Sequence, residues 1–164
     1  MKRAIFPGSF DPLTMGHLDI IERSVDLFDE MIIAVLNNPD KHPMFSPEER
    51  CAMIERVLED FDSKGCTMIV ESFQGLLVDY AKHRDGHAIV RGIRAVSDYE
   101  YELRMALMNR RLEPEIETVF LMAAEEYSYV SSHLVKQVFT LGRRVEGLVP
   151  PYVEEKMRQK LNGD

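Results

Sequence analysis

The hydrophobic positions of the chain form short apolar runs that alternate with amphipathic segments. The runs predict strands at Ala4–Phe6, Met31–Leu36, Met68–Val70, Ala88–Val90 and Thr118–Met122. They are apolar at nearly every position and rich in Ile and Val, so we expect strands covered on both faces. The pattern predicts an α/β fold, a single Rossmann-like domain with a five-stranded parallel sheet and helices on both faces.

The segments between the runs carry apolar residues at helical spacing. Leu18, Ile21, Val25 and Phe28 step by three and four, which predicts a helix after the first loop. The segment Ser46–Glu49 combines a serine cap, proline at the first helical position and glutamate three residues after the cap. Further helices are predicted from Gly75 to His83, from Ser97 through Arg111, from Ser131 or Ser132, and after Pro150-Pro151.

Length and composition narrow the classes of protein that the chain can represent. With 164 residues and no linker-like segment, we predict one domain, 1–164, with a C-terminal helical segment from about 150. A formal net charge of −8 disfavours a nucleic-acid binder, because phosphate neutralisation needs clustered Lys and Arg. The chain has no signal-peptide pattern and no apolar run of membrane length, so we expect a cytoplasmic protein without membrane association.

Candidate chemistry begins in the loop that follows the first predicted strand. Gly8 and Gly16 permit tight turns and a close ligand approach, and His17 falls in the first turn of the next helix. A helix N-terminus favours bound phosphate, and the imidazole can donate a hydrogen bond to it. Considered without the rest of the motif, His17 could equally be a packing residue in a rigid connection between strand and helix.

Basic residues follow other strands at the same predicted end of the sheet. Lys41 follows the second strand, and Arg91 and Arg94 flank the end of the fourth. The two arginines favour an anion clamp over surface ion pairs with nearby acids. After the last strand come two adjacent serines, Ser131 and Ser132. One of them suffices to cap the next helix, and the hydroxyl of the other would suit a triphosphate at the helix N-terminus.

Taken together, these segments resemble one family. They are Pro7–Pro12, Thr14–His17, Lys41–Phe45, Val90–Glu102 and Tyr129–Lys136. The Thr-x-Gly-His spacing resembles the signature of the nucleotidylyltransferase superfamily. The Arg-Gly-Ile-Arg-Ala segment, at its distance from the first motif, is similar to that of the phosphopantetheine adenylyltransferases, and the resemblance covers essentially the whole chain.

The resemblance implies an enzyme, a nucleotidyltransferase of coenzyme A biosynthesis. Its reaction would be the reversible transfer of an adenylyl group from ATP to 4′-phosphopantetheine, giving dephospho-coenzyme A and pyrophosphate. The resemblance also implies Mg²⁺ carried with ATP rather than a metal held by protein ligands, feedback inhibition by coenzyme A, and a homo-hexamer.

The resemblance further implies roles for individual residues, with His17 as the catalytic residue. The residues expected to bind phosphopantetheine are Ser9, Lys41, Leu77 and Arg91. The residues expected to bind ATP are Ser9, Phe10, His17, Gly92, Ile93, Arg94, Glu102, Tyr127, Ser128, Tyr129, Val130, Ser131, Ser132 and His133. The family often has three consecutive serines where this chain has Ser131-Ser132-His133, so His133 is expected to act through its backbone amide.

Two other functions stay open at this point. One is adenylyl or cytidylyl transfer to another phosphate acceptor, such as nicotinamide mononucleotide. Relatives with that activity generally carry His-x-Gly-His, whereas position 14 here is threonine. The other is a non-catalytic nucleotide sensor, which the presence of His17, Lys41 and Arg91 together disfavours.

Overall fold

The computed structural model describes residues 1–163, apart from the side chain of Ser97. Its sheet contains β1 (Arg3–Gly8), β2 (Glu30–Leu36), β3 (Thr67–Phe73), β4 (Ala88–Ile93) and β5 (Glu117–Met122), all parallel, in the order β3-β2-β1-β4-β5. The predicted α/β class and all the predicted strands are confirmed. Each strand is longer than its apolar run, because the ladder continues through non-apolar positions such as Glu71 and Arg91.

Helices connect the strands. They are α1 (Met15–Ser24), α2 (Pro47–Leu58), α3 (Leu77–His83), α4 (Val96–Leu112), α5 (Ser132–Thr140) and α6 (Pro151–Asn162), with a 3₁₀ turn at Glu125–Tyr127. None of the helices within residues 1–163 is long and apolar enough to cross a membrane.

Three predicted helix boundaries are wrong. The first helix ends at Ser24, so Phe28 packs against the core from the turn that follows. The third helix begins at Leu77 rather than Gly75, because Gly75 has a φ of +98°, outside the helical region. The fourth helix begins at Val96, one residue before Ser97, and the side chain of Ser97 lies outside the described structure.

Hydrophobic side chains cover both faces of the sheet, as predicted. On one face, Phe6, Ile33 and Val90 pack with Ile21 of α1 and Ile54 of α2, and α5 and α6 add to this cluster. On the other face, the core contains fewer residues. It includes Ile5, Ile32 and Ile89 from the strands, with Val78 and Ala81 of α3. Alternation along each strand therefore sends successive apolar residues to opposite sides.

The strand order places a topological switch point beside β1. The chain builds outward from β1 to β2 and β3, then returns to add β4 and β5 on the other side. In open parallel sheets, a crevice for ligands lies at the carboxyl ends of the strands where this reversal occurs.

The two strands at the switch point also diverge. β1 pairs with β2 as far as Gly8, but it pairs with β4 only at Ala4 and Ile5. The Pro7 carbonyl accepts a hydrogen bond at 3.3 Å from Nη1 of Arg91, a residue of β4, so this carbonyl points towards β4. The N–H and C=O of a strand residue point the same way, and proline has no N–H to extend the ladder there. Pro7 therefore leaves β1 and β4 unpaired towards their carboxyl ends, where a ligand can enter.

Candidate active site

A cavity of about 290 Å³ occupies the opening between β1 and β4, and we call it the His17 cavity. Its lining comes from the first loop, the start of α1, the end of β4 and the start of α5. Residues expected to bind ATP that line it are Ser9, Phe10, His17, Gly92, Arg94, Glu102, Val130, Ser131 and Ser132. Segments far apart in the chain therefore converge on one space.

His17 is held by hydrogen bonds at the start of α1. Its Nδ1 accepts from the Thr14 backbone N–H at 3.0 Å, and its own backbone N–H donates to Thr14 Oγ1 at 3.3 Å. This is a capping box in which histidine replaces the usual glutamate or glutamine. Because Nδ1 accepts, the neutral ring carries its proton on Nε2.

The surroundings of His17 keep the imidazole neutral. Burial, then the charge of Arg94, then that of Arg91 lower the pKa of His17 to about 4. All three disfavour a positive charge on the ring. At neutral pH the residue therefore presents a neutral Nε2–H donor at the cavity wall.

Phe10 forms the floor of the cavity behind His17. Its ring meets the His17 ring edge to face, with centroids 4.9 Å apart, and it is almost completely buried. A Cβ on Gly8 would come within 2.9 Å of the Phe10 ring, so only glycine fits there. Phe10 itself has a φ of 48°, a left-handed conformation that turns the loop back over the sheet.

Arg91, near the end of β4, and Arg94, directly after it, are anchored by acids and carbonyls. Arg91 makes a bidentate pair with Glu102 of α4, at 2.7 and 2.6 Å. Arg94 pairs with Asp98 and donates to the Val130 carbonyl at 2.9 Å. Both arginines therefore make the ion pairs with nearby acids that the sequence analysis ranked below an anion clamp. The pairing fixes the orientation of each planar guanidinium at the cavity wall.

A second cavity, of about 420 Å³, lies on the other face of the sheet, and we call it the Leu77 cavity. All the residues expected to bind phosphopantetheine line it: Ser9, Lys41, Leu77 and Arg91. The rest of its wall is largely apolar and includes Leu36, Phe73, Leu76, Met105 and Ala106. The two cavities share Pro7, Gly8, Ser9, Arg91 and Glu102, so they meet where β1 and β4 separate.

Asn109 is a polar residue in the wall of the Leu77 cavity that the sequence did not single out. It lies on α4, is 5 % exposed, and its side chain makes no hydrogen bond within residues 1–163. Its amide is not among the buried atoms left without a partner, so it opens onto the cavity and is suited to bond a polar group of a ligand. Seven residues separate it from Glu102 along α4, which places both on the inward face.

The start of α5 supplies the far wall of the His17 cavity. Ser131 is the N-cap, and its side chain accepts the Leu134 N–H at 3.1 Å. The Ser132 hydroxyl donates to the Pro12 carbonyl at 2.7 Å, which ties α5 to the first loop. The Ser132 hydroxyl therefore bonds the first loop and takes no part in capping α5.

Other residues expected to bind ATP lie outside the His17 cavity. Ile93 is buried, and Tyr129 is largely exposed. Ser128 bonds the Glu125 carbonyl within the 3₁₀ turn, and Tyr127 packs beside Gly16. His133 lines a third cavity, on the Lys41 side of the first loop.

Asp11 joins the segments that carry these side chains. It is buried and accepts from the backbone N–H groups of Met44 and Phe45, each at 2.9 Å, and from Lys136 Nζ at 2.7 Å. One carboxylate therefore links the first loop, the loop that carries Lys41, and α5. The sequence had shown Asp11 only as part of a motif, with no sign of its distant partners.

The fold and both cavities can be compared with known proteins. Residues 5–138 match the family model described as cytidylyltransferase-like. A phosphopantetheine adenylyltransferase of Clostridium novyi is 53 % identical over 161 residues, 98 % of this chain and of the relative. One of Alkaliphilus oremlandii is also 53 % identical, over 98 % of this chain and 100 % of the relative. This chain belongs to the phosphopantetheine adenylyltransferase family.

Solved structures share the family fold at much lower sequence identity. A bifunctional NMN adenylyltransferase/ADP ribose pyrophosphatase of Francisella tularensis aligns with a TM-score of 0.71 at 20 % identity, over 98 % of this chain and 49 % of that one. A putative nicotinate-nucleotide adenylyltransferase of Vibrio parahaemolyticus aligns with a TM-score of 0.64 at 16 % identity, over 96 % and 99 %. These likenesses concern the fold alone.

Proposed function

We propose that this adenylyltransferase moves an adenylyl group reversibly from ATP to 4′-phosphopantetheine, giving dephospho-coenzyme A and pyrophosphate. The observation that carries the proposal is the junction of the two cavities at Ser9 and Arg91. One cavity presents a neutral imidazole and a helix N-terminus, which suit a nucleotide triphosphate. The other has a mainly apolar wall that also includes Lys41, which suits a phosphate on an uncharged arm.

The reaction joins the two substrates at this junction. An oxygen of the acceptor phosphate attacks the α-phosphorus of ATP, a new P–O bond forms, and the bond to the β-phosphate oxygen breaks to release pyrophosphate. A phosphate monoester has a second pKa of about 6, so the nucleophile is already largely dianionic at pH 7. No side chain has to remove a proton, and catalysis rests on alignment and charge stabilisation.

The residues divide this work between them. We assign His17 Nε2–H to an α-phosphate oxygen, where the hydrogen bond strengthens as negative charge builds up in the transition state. Lys41 and Arg91 reduce the repulsion between the two anions around the acceptor phosphate. Ser9, which lies on both cavities, contacts both substrates.

Asn109 supports the assignment of the acceptor. The arm of phosphopantetheine carries amide groups, and the Asn109 amide lines the cavity that we assign to that arm. A hydrogen bond from this amide to the arm would favour phosphopantetheine over an acceptor that lacks a matching polar group.

Magnesium enters this proposal with the nucleotide. Residues 1–163 contain no cluster of three metal-ligating side chains, and Asp98 and Glu102 near the His17 cavity are paired with arginines. Mg²⁺ is often held by substrate phosphates and water, so these residues suit MgATP as the substrate. The ion would neutralise charge on the phosphate oxygens.

We also propose that the chain works in the cytoplasm as a homo-oligomer, a hexamer by family resemblance, and that coenzyme A inhibits it. Coenzyme A shares its pantetheine arm and adenylyl group with the product, so it would span both cavities and compete with the substrates. The support for assembly is the outward face of α4, where Leu107 and Met108 are more than half exposed.

The experiment that tests the function is pyrophosphate release with MgATP and either 4′-phosphopantetheine or nicotinamide mononucleotide. Turnover with 4′-phosphopantetheine alone is expected. Turnover with nicotinamide mononucleotide, or with neither acceptor despite ATP binding, would contradict the proposal.

A further inference from the structure

Arg50 is a buried cation beside the active site that neither the motifs nor the reaction account for. It lies in the second turn of α2 and is only 2 % exposed. Its Nη1 donates to the Ser9 carbonyl at 2.7 Å and to the Leu36 carbonyl at 3.0 Å, and its Nε donates to the Ser46 carbonyl at 3.3 Å. All its hydrogen-bond partners in the described chain are main-chain oxygens.

A buried guanidinium in such a place is costly unless its charge is balanced. Burial of a charge normally requires an ionic partner, and Arg50 makes no salt bridge with any residue from 1 to 163. Glu49, beside it, is engaged by Lys160, and Asp11, which lines the same cavity, is engaged by Lys136. The positive charge of Arg50 is therefore available to whatever occupies the neighbouring space.

That space is the third cavity, of about 290 Å³, which we call the Arg50 cavity. Arg50 shares its wall with Lys41, Lys136 and Ser132. The cavity also includes Ser9, which borders the two substrate cavities. The cation thus lies next to the point where the phosphates of both substrates would meet.

The partners of Arg50 explain why a cation is useful there. Leu36 is the last residue of β2, and Ser9 comes directly after β1. Ser9 and Leu36 both line the Arg50 cavity, and the partial negative charge of their carbonyl oxygens would repel a phosphate there. By bonding both oxygens, Arg50 offsets this charge and joins the first loop to the end of β2.

We propose that Arg50 is a positioning residue for the adenylyl transfer, which holds Ser9 in place and keeps this edge of the sheet electropositive for both anionic substrates. This role rests on the proposed function. It acts through Ser9 and through charge, so it differs from a purely structural role. Loss of the charge should weaken binding of phosphate-bearing ligands in particular.

The test compares Arg50→Gln, Arg50→Lys and the matched control Arg56→Gln, which changes an exposed arginine of the same helix. The measurements are steady-state pyrophosphate release, calorimetric affinity for MgATP, the ratio of affinities for 4′-phosphopantetheine and pantetheine, and Tm. We expect Arg50→Gln to lower kcat/KM on the order of 100-fold and to reduce the affinity ratio about tenfold. Arg50→Lys should recover most of the ratio, and Arg56→Gln should match the wild type.

Two results would overturn the role of Arg50. One is Arg50→Gln with wild-type kcat/KM and an unchanged affinity ratio. The other is Arg50→Lys that folds with a wild-type Tm yet loses as much MgATP affinity as Arg50→Gln. If Arg50→Gln does not fold, the MgATP affinity of Arg50→Lys decides. A value within about threefold of wild type supports the role, and a loss of about tenfold or more contradicts it. Wild-type protein that binds MgATP without turning over 4′-phosphopantetheine would refute the function, while MgATP affinities would still test Arg50.

Discussion

At the scale of single residues, the structure explains why threonine and histidine are separated by three positions in the Thr14–His17 motif. Thr14 is the N-cap of α1, and His17 is the residue that completes the capping box. Holding Nδ1 in the cap leaves Nε2–H as the donor for a ligand. One spacing therefore determines the helix start, the ring orientation and the tautomer.

Substitutions of His17 can separate capping from catalysis. Glutamine is a standard capping-box residue, so His17→Gln should retain the bond to the Thr14 backbone, whereas His17→Ala loses it. We expect both variants to lose about 10²- to 10³-fold in kcat with little change in MgATP affinity, because the lost contact strengthens only in the transition state. The alanine variant alone should lose about 1 kcal/mol of stability in a denaturant titration. An equal loss of affinity and rate would remove His17 from the catalytic role.

The pH dependence of the reaction should come from the substrate and not from His17. The pKa of His17 is lowered to about 4, so its protonated fraction stays small from pH 5 upwards. We expect kcat/KM for 4′-phosphopantetheine to be level above pH 7 and to fall below about pH 6, as the acceptor phosphate takes up its second proton. The His17→Gln profile should have the same shape. A midpoint that disappears in that variant would show that the histidine titrates in this range.

Asn109 provides a test of acceptor recognition at a single position. Asn109→Leu has a similar volume and removes an amide that lines the Leu77 cavity. We expect KM for 4′-phosphopantetheine to rise on the order of tenfold, with MgATP affinity unchanged and stability equal or higher. Gln137→Leu, which removes an exposed amide of α5 outside both cavities, serves as the control. An unchanged KM in Asn109→Leu would exclude contact with the acceptor.

At the scale of secondary-structure elements, the site depends on loops that are tied to one another. Asp11 bonds the loop before α2 and the side chain of Lys136 on α5. Ser132 of α5 in turn bonds the Pro12 carbonyl. The backbone N–H of Met15, at the start of α1, donates to the Leu148 carbonyl at 2.9 Å. The alignment of substrates therefore rests on contacts between elements that are distant in sequence.

Removal of the Asp11 charge should disturb this arrangement at two places. Asp11→Asn leaves Lys136 without its ion pair and sets an amide donor against a backbone N–H donor. We expect a stability loss of about 1–3 kcal/mol in urea titration, together with a higher KM for both substrates. The double variant with Lys136→Met should be less than additive, since both changes break the same contact. Additive losses would show that the two residues act independently.

At the scale of the whole molecule, the outward face of α4 is unusual. Of the residues of this 17-residue helix whose side chains are described, only Glu102 and Asn109 are buried, while Leu103, Leu107 and Met108 are exposed. The side that borders the cavities carries Glu102 and Asn109 beside Met105 and Ala106, and the outward side exposes several apolar side chains. Exposed apolar side chains of this kind mark interaction surfaces, which supports the assembly proposed above.

Disruption of the α4 face should change the oligomeric state. Leu107→Glu places a charge on this face, whereas Leu141→Glu, at a position 78 % exposed beyond α5, is the matched control. We expect light scattering coupled to size-exclusion chromatography to give an oligomer for wild type and Leu141→Glu, and smaller species for Leu107→Glu. A monomeric wild type, or an unaffected Leu107→Glu, would contradict assembly through α4.

The sequence by itself determined the strands, most of the helices and the motif residues, because these depend on local spacing and on which side chains prefer burial. Ser46 capped α2 with Glu49 as predicted, since both partners lie within one turn. The family could also be identified, because its motifs are contiguous in the chain. The start of α3 was missed because the φ of Gly75 is set by the turn around it.

Only the tertiary structure decided which distant groups meet. Asp11 pairs with Lys136, Arg50 bonds the Ser9 carbonyl, and Asn109 and Leu77 line one cavity, although each set comes from separate elements. No local pattern encodes them, because a buried polar residue and an exposed one have the same sequence appearance until the chain surrounds one of them. The widening between β1 and β4 likewise needed the sheet order, since Pro7 prevents pairing only with the neighbour that faces it.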